Sequence, residues 1–521
     1  MKERSIVFSL LNKLFLIIPA LFVFFCSEMA FGQNFNRPIS PDMLPYSFIA
    51  HQEKSLGYYI TSPFKIFTFN PDRATAPKLM IFDSDGYVMW YRPQTESRNA
   101  SAFNYDAEQN KYTLIDFVSL GQVNYTILDS DFAVQSISHV QAGVMPDNHE
   151  FFVNKAGNRV FSAKKDSIFD LSGDTISGAP GSSNTVVVCF VIQEVDAANN
   201  LVWEWNSCDH IHPREGLTFY GYSPGGFDYC HGNSIDEDED GNYIVSLRHM
   251  NAIIKIDRGT GNLLWQLGGK SNEFAYVNDG GFSGQHDVRR LENGRISLFD
   301  NGNMAVPPRS RGLEYELDTV NWTATKVAEY IPVPSVFGRG MGSYSHVGGF
   351  RNLGYGIVYA PSPGIETVDA AGQLVHQFFF SDSVQSYRCQ LAQPKYLPAR
   401  PAITCRDSAG QVILSAAAGH ARYLWSTGDT TASILAAPNT EYMYWVPQGV
   451  GMLGSQPLKT DGGSHCPPPL AATSPQIAAG KPAKLRYITD LLGRRITQPL
   501  PGQIYIYYYT DQSRRKVLQI E

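Results

Sequence analysis

The sequence predicts an all-β protein: a six-bladed β-propeller, then a small immunoglobulin-like β-sandwich, then a short C-terminal β module. Three observations predict it. The 521 residues include 28 Tyr, 30 Phe, 45 Gly and 31 Pro, a mix that favours strands joined by tight turns. A hairpin signature with an aspartate at its turn recurs six times. A second kind of hairpin, with Gly or Asn at its turn, lies between the copies. Charged residues are only 17% and apolar residues 43%, which excludes a disordered chain and a coiled coil. The net charge of −7 gives no support for nucleic-acid binding, which needs a basic patch.

Residues 1–32 read as a secretory signal peptide. Lys2, Arg4 and Lys13 form the positive end, Leu14 to Phe25 the apolar run, and Ala30-Phe31-Gly32 the small-residue cleavage site. Cys26 follows Phe24-Phe25, a poor lipoprotein site. No later stretch is long and apolar enough for a membrane helix. Beyond the leader, six cysteines permit disulfides in an exported chain. Cys405–Cys466 is the expected pair in the C-terminal module, and Cys189–Cys208 is plausible within one hairpin. The cysteine and histidine spacing matches no zinc motif, so neither a metal nor another cofactor is expected.

The propeller is expected over residues 40–395. Its aspartate turns fall at Asp83, Asp129, Asp196, Asp257, Asp318 and Asp369, spaced 46 to 67 residues apart. The second hairpins are read at 107–116, 154–163, 238–248, 291–302 and 351–360, where Gly or Asn supplies positive φ at low cost. Two hairpins per repeat make a four-stranded blade, and closing the blades in a circle leaves few exposed edges. Residues 400–460 alternate around Trp425 and suggest the sandwich. Residues 461–483 have linker composition, and 484–521 form the last β module.

The chemistry collects at four histidines that precede the second hairpins: His149, His231, His286 and His346. A turn glycine follows eight residues later in three cases, Gly157, Gly294 and Gly354. Equivalent blade positions lie on a ring, so four imidazoles are expected at the mouth of a central channel. Arg248 closes the strand after His231, where its fork suits the oxygens of a sulfate, phosphate or carboxylate; a salt bridge to Asp287 or Asp300 is the bland alternative. The other histidines, His249 among them, read as surface or structural. The acidic run Asp236–Asp240 reads as a solvated turn rather than a calcium loop. Tyr220, Tyr222, Phe227, Tyr229 and Phe337 are candidates for stacking on an aromatic ligand.

The stretch FDYCHGNSIDEDEDGNYIVSLRHMNAIIKIDRGTGNLLWQLGG, then FSGQHDVRRLENGRISLFDNGN, with NHEFFVNKAGNRVFSAKK before it, resembles the bacterial aryl-sulfate sulfotransferases. That resemblance implies a six-bladed propeller that moves a sulfuryl group from an aryl sulfate donor to a phenolic acceptor, without a nucleotide donor. It implies that His286 is the nucleophile. It also implies that His231 and Asn233 contact the sulfuryl group and bridging oxygen, and that Arg248 and His149 complete the site. The tail, with DLLGR at 490–494, LPGQIYI at 500–506 and RRKVLQ at 514–519, resembles the C-terminal sorting domain of the type IX secretion system. It implies that this machinery carries the chain to the cell surface or releases it. Two other readings stay open: a non-catalytic surface propeller acting as an adhesin or glycan-binding module, and a hydrolase that passes the sulfuryl group to water.

Overall fold

The computed structural model describes residues 33–65, 78–93, 100–119, 122–176, 179–217, 222–223, 226–358, 361–380, 384–462 and 466, and strands at 485–489, 495–496, 504–509 and 514–518. The predicted signal peptide lies outside these residues, as do nearly all of the 461–483 linker and the DLLGR motif.

Among the described residues, six sheets share one antiparallel four-strand order. With the innermost strand first, sheet I is Val384–Ala392, Tyr58–Lys65, Lys78–Phe82 and Val88–Pro93. Sheet II is Ala100–Asp106, Lys111–Ser119, Gln122–Leu128 and Val134–Ser138. Sheet III is Met145–Val153, Arg159–Phe169, Thr185–Val195 and Leu201–Asn206. Sheet IV is Gly232–Glu237, Tyr243–Leu247, Ala252–Ile256 and Leu263–Gly268. Sheet V is His286–Arg290, Ile296–Asp300, Arg311–Asp318 and Thr323–Tyr330. Sheet VI is Ser343–Val347, Phe350–Gly354, Ile365–Val368 and Leu374–Phe380, and its outer edge takes up Tyr46–Ala50.

Each aspartate of the repeated turn has the same local task. Asp83 Oδ1 accepts the N–H groups of Asp85 and Tyr87, and Asp129 Oδ1 those of Asp131 and Ala133. Asp196 and Asp369 repeat the pattern. Asp257 takes the N–H of Thr260, and Asp318 those of Val320 and Asn321; a short carboxylate reaching its own backbone two to four residues on is why aspartate marks the outer hairpins.

The innermost strands of the six sheets touch in a closed cycle, and hydrogen bonds stitch each neighbouring pair. Ser101 Oγ donates to Asn148 O, Ile235 N–H to Glu150, Val288 N–H to Ser234 Oγ, and Tyr344 N–H to Asp287. Cys389 N–H donates to Ser343 Oγ, and Tyr105 N–H to Gln390. Inside this cycle sits a buried ion cluster. Arg388 meets Glu150 at 2.8 Å and Asp287 at 3.2 Å, while Arg289 meets Glu150 and Asp287 at 2.8 Å each. Arg388 also donates to the Asn233 carbonyl at 2.9 Å. Burial alone would raise Glu150, but Arg289 and Arg388 hold it below the usual carboxylate range.

The 400–460 segment is not a separate layer. Its strand Gly451–Gly454 pairs with Val88–Pro93, the outer strand of sheet I, and carries Tyr444–Gln448 and Leu424–Trp425 beyond it. An outer strand with unpaired backbone groups is thereby covered. Gly451 permits the contact, because a Cβ there would lie 2.4 Å from Trp90. Across from it, Ile403–Ser408, Gln411–Ala416 and Ser433–Ala436 form a three-stranded sheet. Trp425 is fully buried in a core shared with Trp90, Phe103 and Phe132 of the first two sheets. Disulfides join Cys189 to Cys208 and Cys405 to Cys466, while Cys230 and Cys389 are buried thiols. Residues 467–521 form a second compact unit, in which 495–496, 485–489, 504–509 and 514–518 make a four-stranded antiparallel sheet.

Removing one partner from a buried ion cluster strands the others, at a cost of about 3–5 kcal/mol. Arg388→Ala is expected to lose that much in chemical denaturation, with Lys54→Ala, on a partly exposed ion pair, changing stability by less than about 1 kcal/mol. Cys405→Ser removes a cross-link over 61 residues and is expected to cost roughly 4 kcal/mol in the same assay by chain entropy.

Candidate active site

Two of the four histidines, His149 and His231, touch, and a third, His286, lies within electrostatic reach of both. Each lies at a place where the inner strand departs from regular pairing. Register breaks between Pro146 and Phe151 around His149, between Gly232 and Ser234 just after His231, and between His286 and Arg289. His231 has φ +48° and Asp287, next to His286, φ +54°. Such bulges re-aim a side chain at the rim of a sheet, and left-handed non-glycine backbone persists where its surroundings hold it.

His346 is different and corrects the expected ring of four. Its strand pairs regularly from Ser343 to Val347, with no bulge. The hairpin turn falls at Gly348-Gly349, not at Gly354, which instead pairs with Ser343. The eight-residue spacing thus compared unlike positions. His346 pairs with Glu314 at 3.1 Å and lines a cavity of about 360 Å³ with Asp287, Arg289 and Tyr344, a cavity that none of the other three histidines lines.

The ring centroids of His149 and His231 are 4.8 Å apart, edge to face. Each ring is held by an upstream carboxylate. His149 Nδ1 is 2.6 Å from Asp147 Oδ2, and His231 Nδ1 is 2.6 Å from Asp228 Oδ2. Asp147 also pairs with Lys164 at 2.9 Å. Burial alone would raise Asp147, yet His149 and Lys164 hold it well below the usual range. Burial would likewise raise Asp228, but His231 above all, with His249 and Lys164, keeps it at about 2. Burial lowers His149, with Asp147 opposing.

His286 has no carboxylate on its ring. Nδ1 meets Asn301 Oδ1 at 2.7 Å and the Gly284 carbonyl at 3.0 Å, and Nε2 accepts the Met341 N–H at 3.2 Å. These partners place the proton on Nδ1 and the lone pair on Nε2. Burial first, then the Arg248 guanidinium, push His286 well below the ordinary imidazole value; charge on His149 or His231 would push it further, with Asn301 opposing. Arg248 donates from Nη2 to the Arg339 carbonyl at 3.3 Å. The carboxylates offered as its bland partners are engaged elsewhere, Asp287 by Arg289 and Arg388, and Asp300 by Arg311. Asn233 is fully buried, donates to the Gln285 carbonyl at 2.8 Å, and leaves Oδ1 without a partner.

Several residues of the site escaped the sequence reading. His249, read as surface or structural, stacks on His231 with centroids 4.4 Å apart, and its Nδ1 donates to the Asp228 carbonyl at 2.6 Å. Burial, then His231, lower its pKa to about 3. Tyr387 lies 5.7 Å from the His149 ring and donates to the Asn233 carbonyl. Asp147 and Asp228 did leave a signal, an acid two or three residues ahead of a site histidine. Phe227 and Tyr229 are packed in the core rather than facing a ligand, with Tyr229 bonded to the Ile211 carbonyl. The side chains of Tyr220 and Tyr222 lie outside the described residues. The acidic run is not simply solvated: Asp238 and Asp240 meet Lys255 at 2.7 Å each, Asp238 also meets Arg290, and burial pushes Asp236 up to about 6 with Arg289 opposing.

Among the described residues, Asp228, His231 and His249 have the spacing to hold a cation. Both Nδ1 atoms are already bonded to Asp228, and the ring planes are only 22° apart. Stacked rings aim their lone pairs in parallel rather than at one point. The set therefore fits a hydrogen-bonded unit better than a coordination sphere.

Solved structures similar to the chain include a protein of unknown function from Bacteroides caccae, at 11% identity over 64% of this chain and 98% of that one, with a TM-score of 0.39. They also include the Pseudomonas aeruginosa periplasmic gluconolactonase PpgL, at 12% identity over 79% and 98%, with a TM-score of 0.33. A third is the β-propeller domain of Cps50 (Swd1) from Myceliophteria thermophila, at 9% identity over 66% and 88%, with a TM-score of 0.35. No curated protein matches. Residues 119–381, just over half of the chain, match the family described as Arylsulfotransferase (ASST). That span holds His149, His231, Asn233, Arg248 and His286, and the chain belongs to the arylsulfotransferase family.

Proposed function

We propose that the six sheets are the blades of one closed propeller and that their shared mouth transfers a sulfuryl group from an aryl sulfate to a phenol by a ping-pong route. Family membership supports sulfuryl transfer with aryl sulfate and phenol substrates. The observation that supports the finer reading is the contact of His149 with His231, from two sheets, with His286 of a third sheet in electrostatic reach of both and of Arg248.

In this reading, His286 Nε2 attacks sulfur, the S–O bond to the aryl group breaks, and its electron pair leaves on the phenolic oxygen. A sulfohistidine results. His231 or His149 supplies a proton to the departing oxygen and later removes one from the acceptor phenol. Such proton transfer is worth typically 10²–10⁴-fold. Arg248 and the remaining Asn233 N–H hold the sulfuryl oxygens, whose charge grows in the transition state. The Nε2 lone pair accepts the Met341 N–H in this structure, so attack requires the segment around Met341 to release it.

We also propose that residues 1–32 direct export, and that residues 484–521 are read by the type IX secretion machinery. The mature chain would then be secreted or held at the outer-membrane surface. A shift in mass on secretion, matching loss of residues 1–32, tests the first proposal.

Incubation with 4-nitrophenyl sulfate and phenol is expected to release nitrophenolate, and the donor alone should leave one SO₃ adduct in the intact mass. His286→Ala should abolish both, whereas an unlabelled but folded wild-type protein would favour a non-catalytic binding module. Arg248→Ala should lower kcat by roughly 10²–10³-fold, the loss of one transition-state donor. Because the folded pKa of His286 is depressed, Nε2 stays unprotonated below the ordinary imidazole value of about 6.5. Adduct formation in a single turnover should therefore persist below that value.

A further inference from the structure

The two carboxylate-held imidazoles are not equivalent, and the difference selects one for proton transfer. His149 is 8% exposed, and its carboxylate is shared with Lys164 at 2.9 Å. A second cation on Asp147 weakens what that carboxylate can offer an imidazolium. The side chain of His231 is 23% exposed against 10% for that of His149, and among the described residues its Nδ1 is the one ion-pair partner of Asp228. Asp228 fixes His231 twice over, taking its backbone N–H on Oδ1 at 3.0 Å and its ring Nδ1 on Oδ2 at 2.6 Å. His249 completes the support. Its ring lies flat on His231 at 4.4 Å, and its Nδ1 holds the Asp228 backbone carbonyl. Two imidazolium ions with ring centroids 4.8 Å apart would repel.

We propose that Asp228 and His249 are positioning residues that make His231, rather than His149, the proton carrier of the transfer; this rests on the sulfuryl-transfer reading above. In the first half-reaction, the His286 Nε2–S bond forms and the S–O bond breaks. The electron pair goes to the aryl oxygen, and the proton on His231 Nε2 goes with it. In the second half-reaction, neutral His231 Nε2 takes the proton of the acceptor phenol as its oxygen bonds sulfur and the N–S bond breaks. Asp228 accepts the Nδ1–H throughout and stays ionised. His149 remains neutral.

A proton carrier matters most where the leaving group is poor, which a merely structural residue cannot mimic. Donor series running from 4-nitrophenyl sulfate to 4-methylphenyl sulfate, with a fixed phenol acceptor, read this directly. Asp228→Asn is expected to lower kcat for the 4-methylphenyl donor by roughly 10²-fold, to lower it for the 4-nitrophenyl donor much less, and to leave KM within about two-fold. Asp228→Glu should recover part of the loss. Asp147→Asn should lower both donors by one common factor. His249→Phe keeps a ring over His231 but loses the bond to the Asp228 carbonyl, and should repeat the selective loss at smaller size if Asp228→Asn fails to fold. Equal losses on both donors in Asp228→Asn and His249→Phe, or a selective loss in Asp147→Asn, would overturn the proposal. A wild-type enzyme that transfers from neither donor would instead sink the sulfuryl-transfer reading itself.

Discussion

Arg388 is the residue on which the arrangement turns. It belongs to the innermost strand of sheet I, reaches Glu150 of sheet III and Asp287 of sheet V, and holds the Asn233 carbonyl of sheet IV. Glu150 and Asp287 are each the chain neighbour of a site histidine. At the bulges around these histidines one side chain goes to the ion cluster and its chain neighbour to the imidazole site. The charges that pin the sheets together therefore also set where His149 and His286 stand. Such a cluster is weak evidence for stability, since apolar packing does as well. Its value here is registry between strands that share no hydrogen-bonded ladder.

Above that floor, the site separates its imidazoles by what touches Nδ1. Carboxylates hold His149 and His231, whereas an amide oxygen and a backbone carbonyl hold His286. Only a neutral ring can attack sulfur, so a neutral partner suits a nucleophile. A ring that must carry a proton is served by an ionised one. The same residue type thereby acquires two behaviours without any difference visible in its own chemistry.

The rim adds a constraint on access. Met341 has φ +61° and lies between Gly340 and Gly342, and its N–H rests on the His286 lone pair. Two residues away, the Arg339 carbonyl takes the Arg248 guanidinium. One glycine-rich segment thus occupies both His286 Nε2 and the Arg248 guanidinium, through backbone atoms that cost no side chain.

Local chemistry was legible in the sequence. The six aspartate turns, four of the five second hairpins, both disulfides and the buried Trp425 follow from residues that interact with near neighbours or impose strand alternation. His149 and His286 could be singled out because eight residues separate each from a turn glycine, and His231 because it too precedes a second hairpin. What sequence could not carry was register across sheets. His346 shares the spacing but sits in a strand without a bulge, so its ring turns elsewhere. The inner strand of sheet I, Val384–Ala392, pairs with residues more than 300 positions earlier, and no local pattern announces that. Arg388, His249 and the covering of the sheet I edge by Gly451–Gly454 belong to the same class. Each depends on which distant strand arrives beside it, a choice made by packing and ion pairing once the chain has closed.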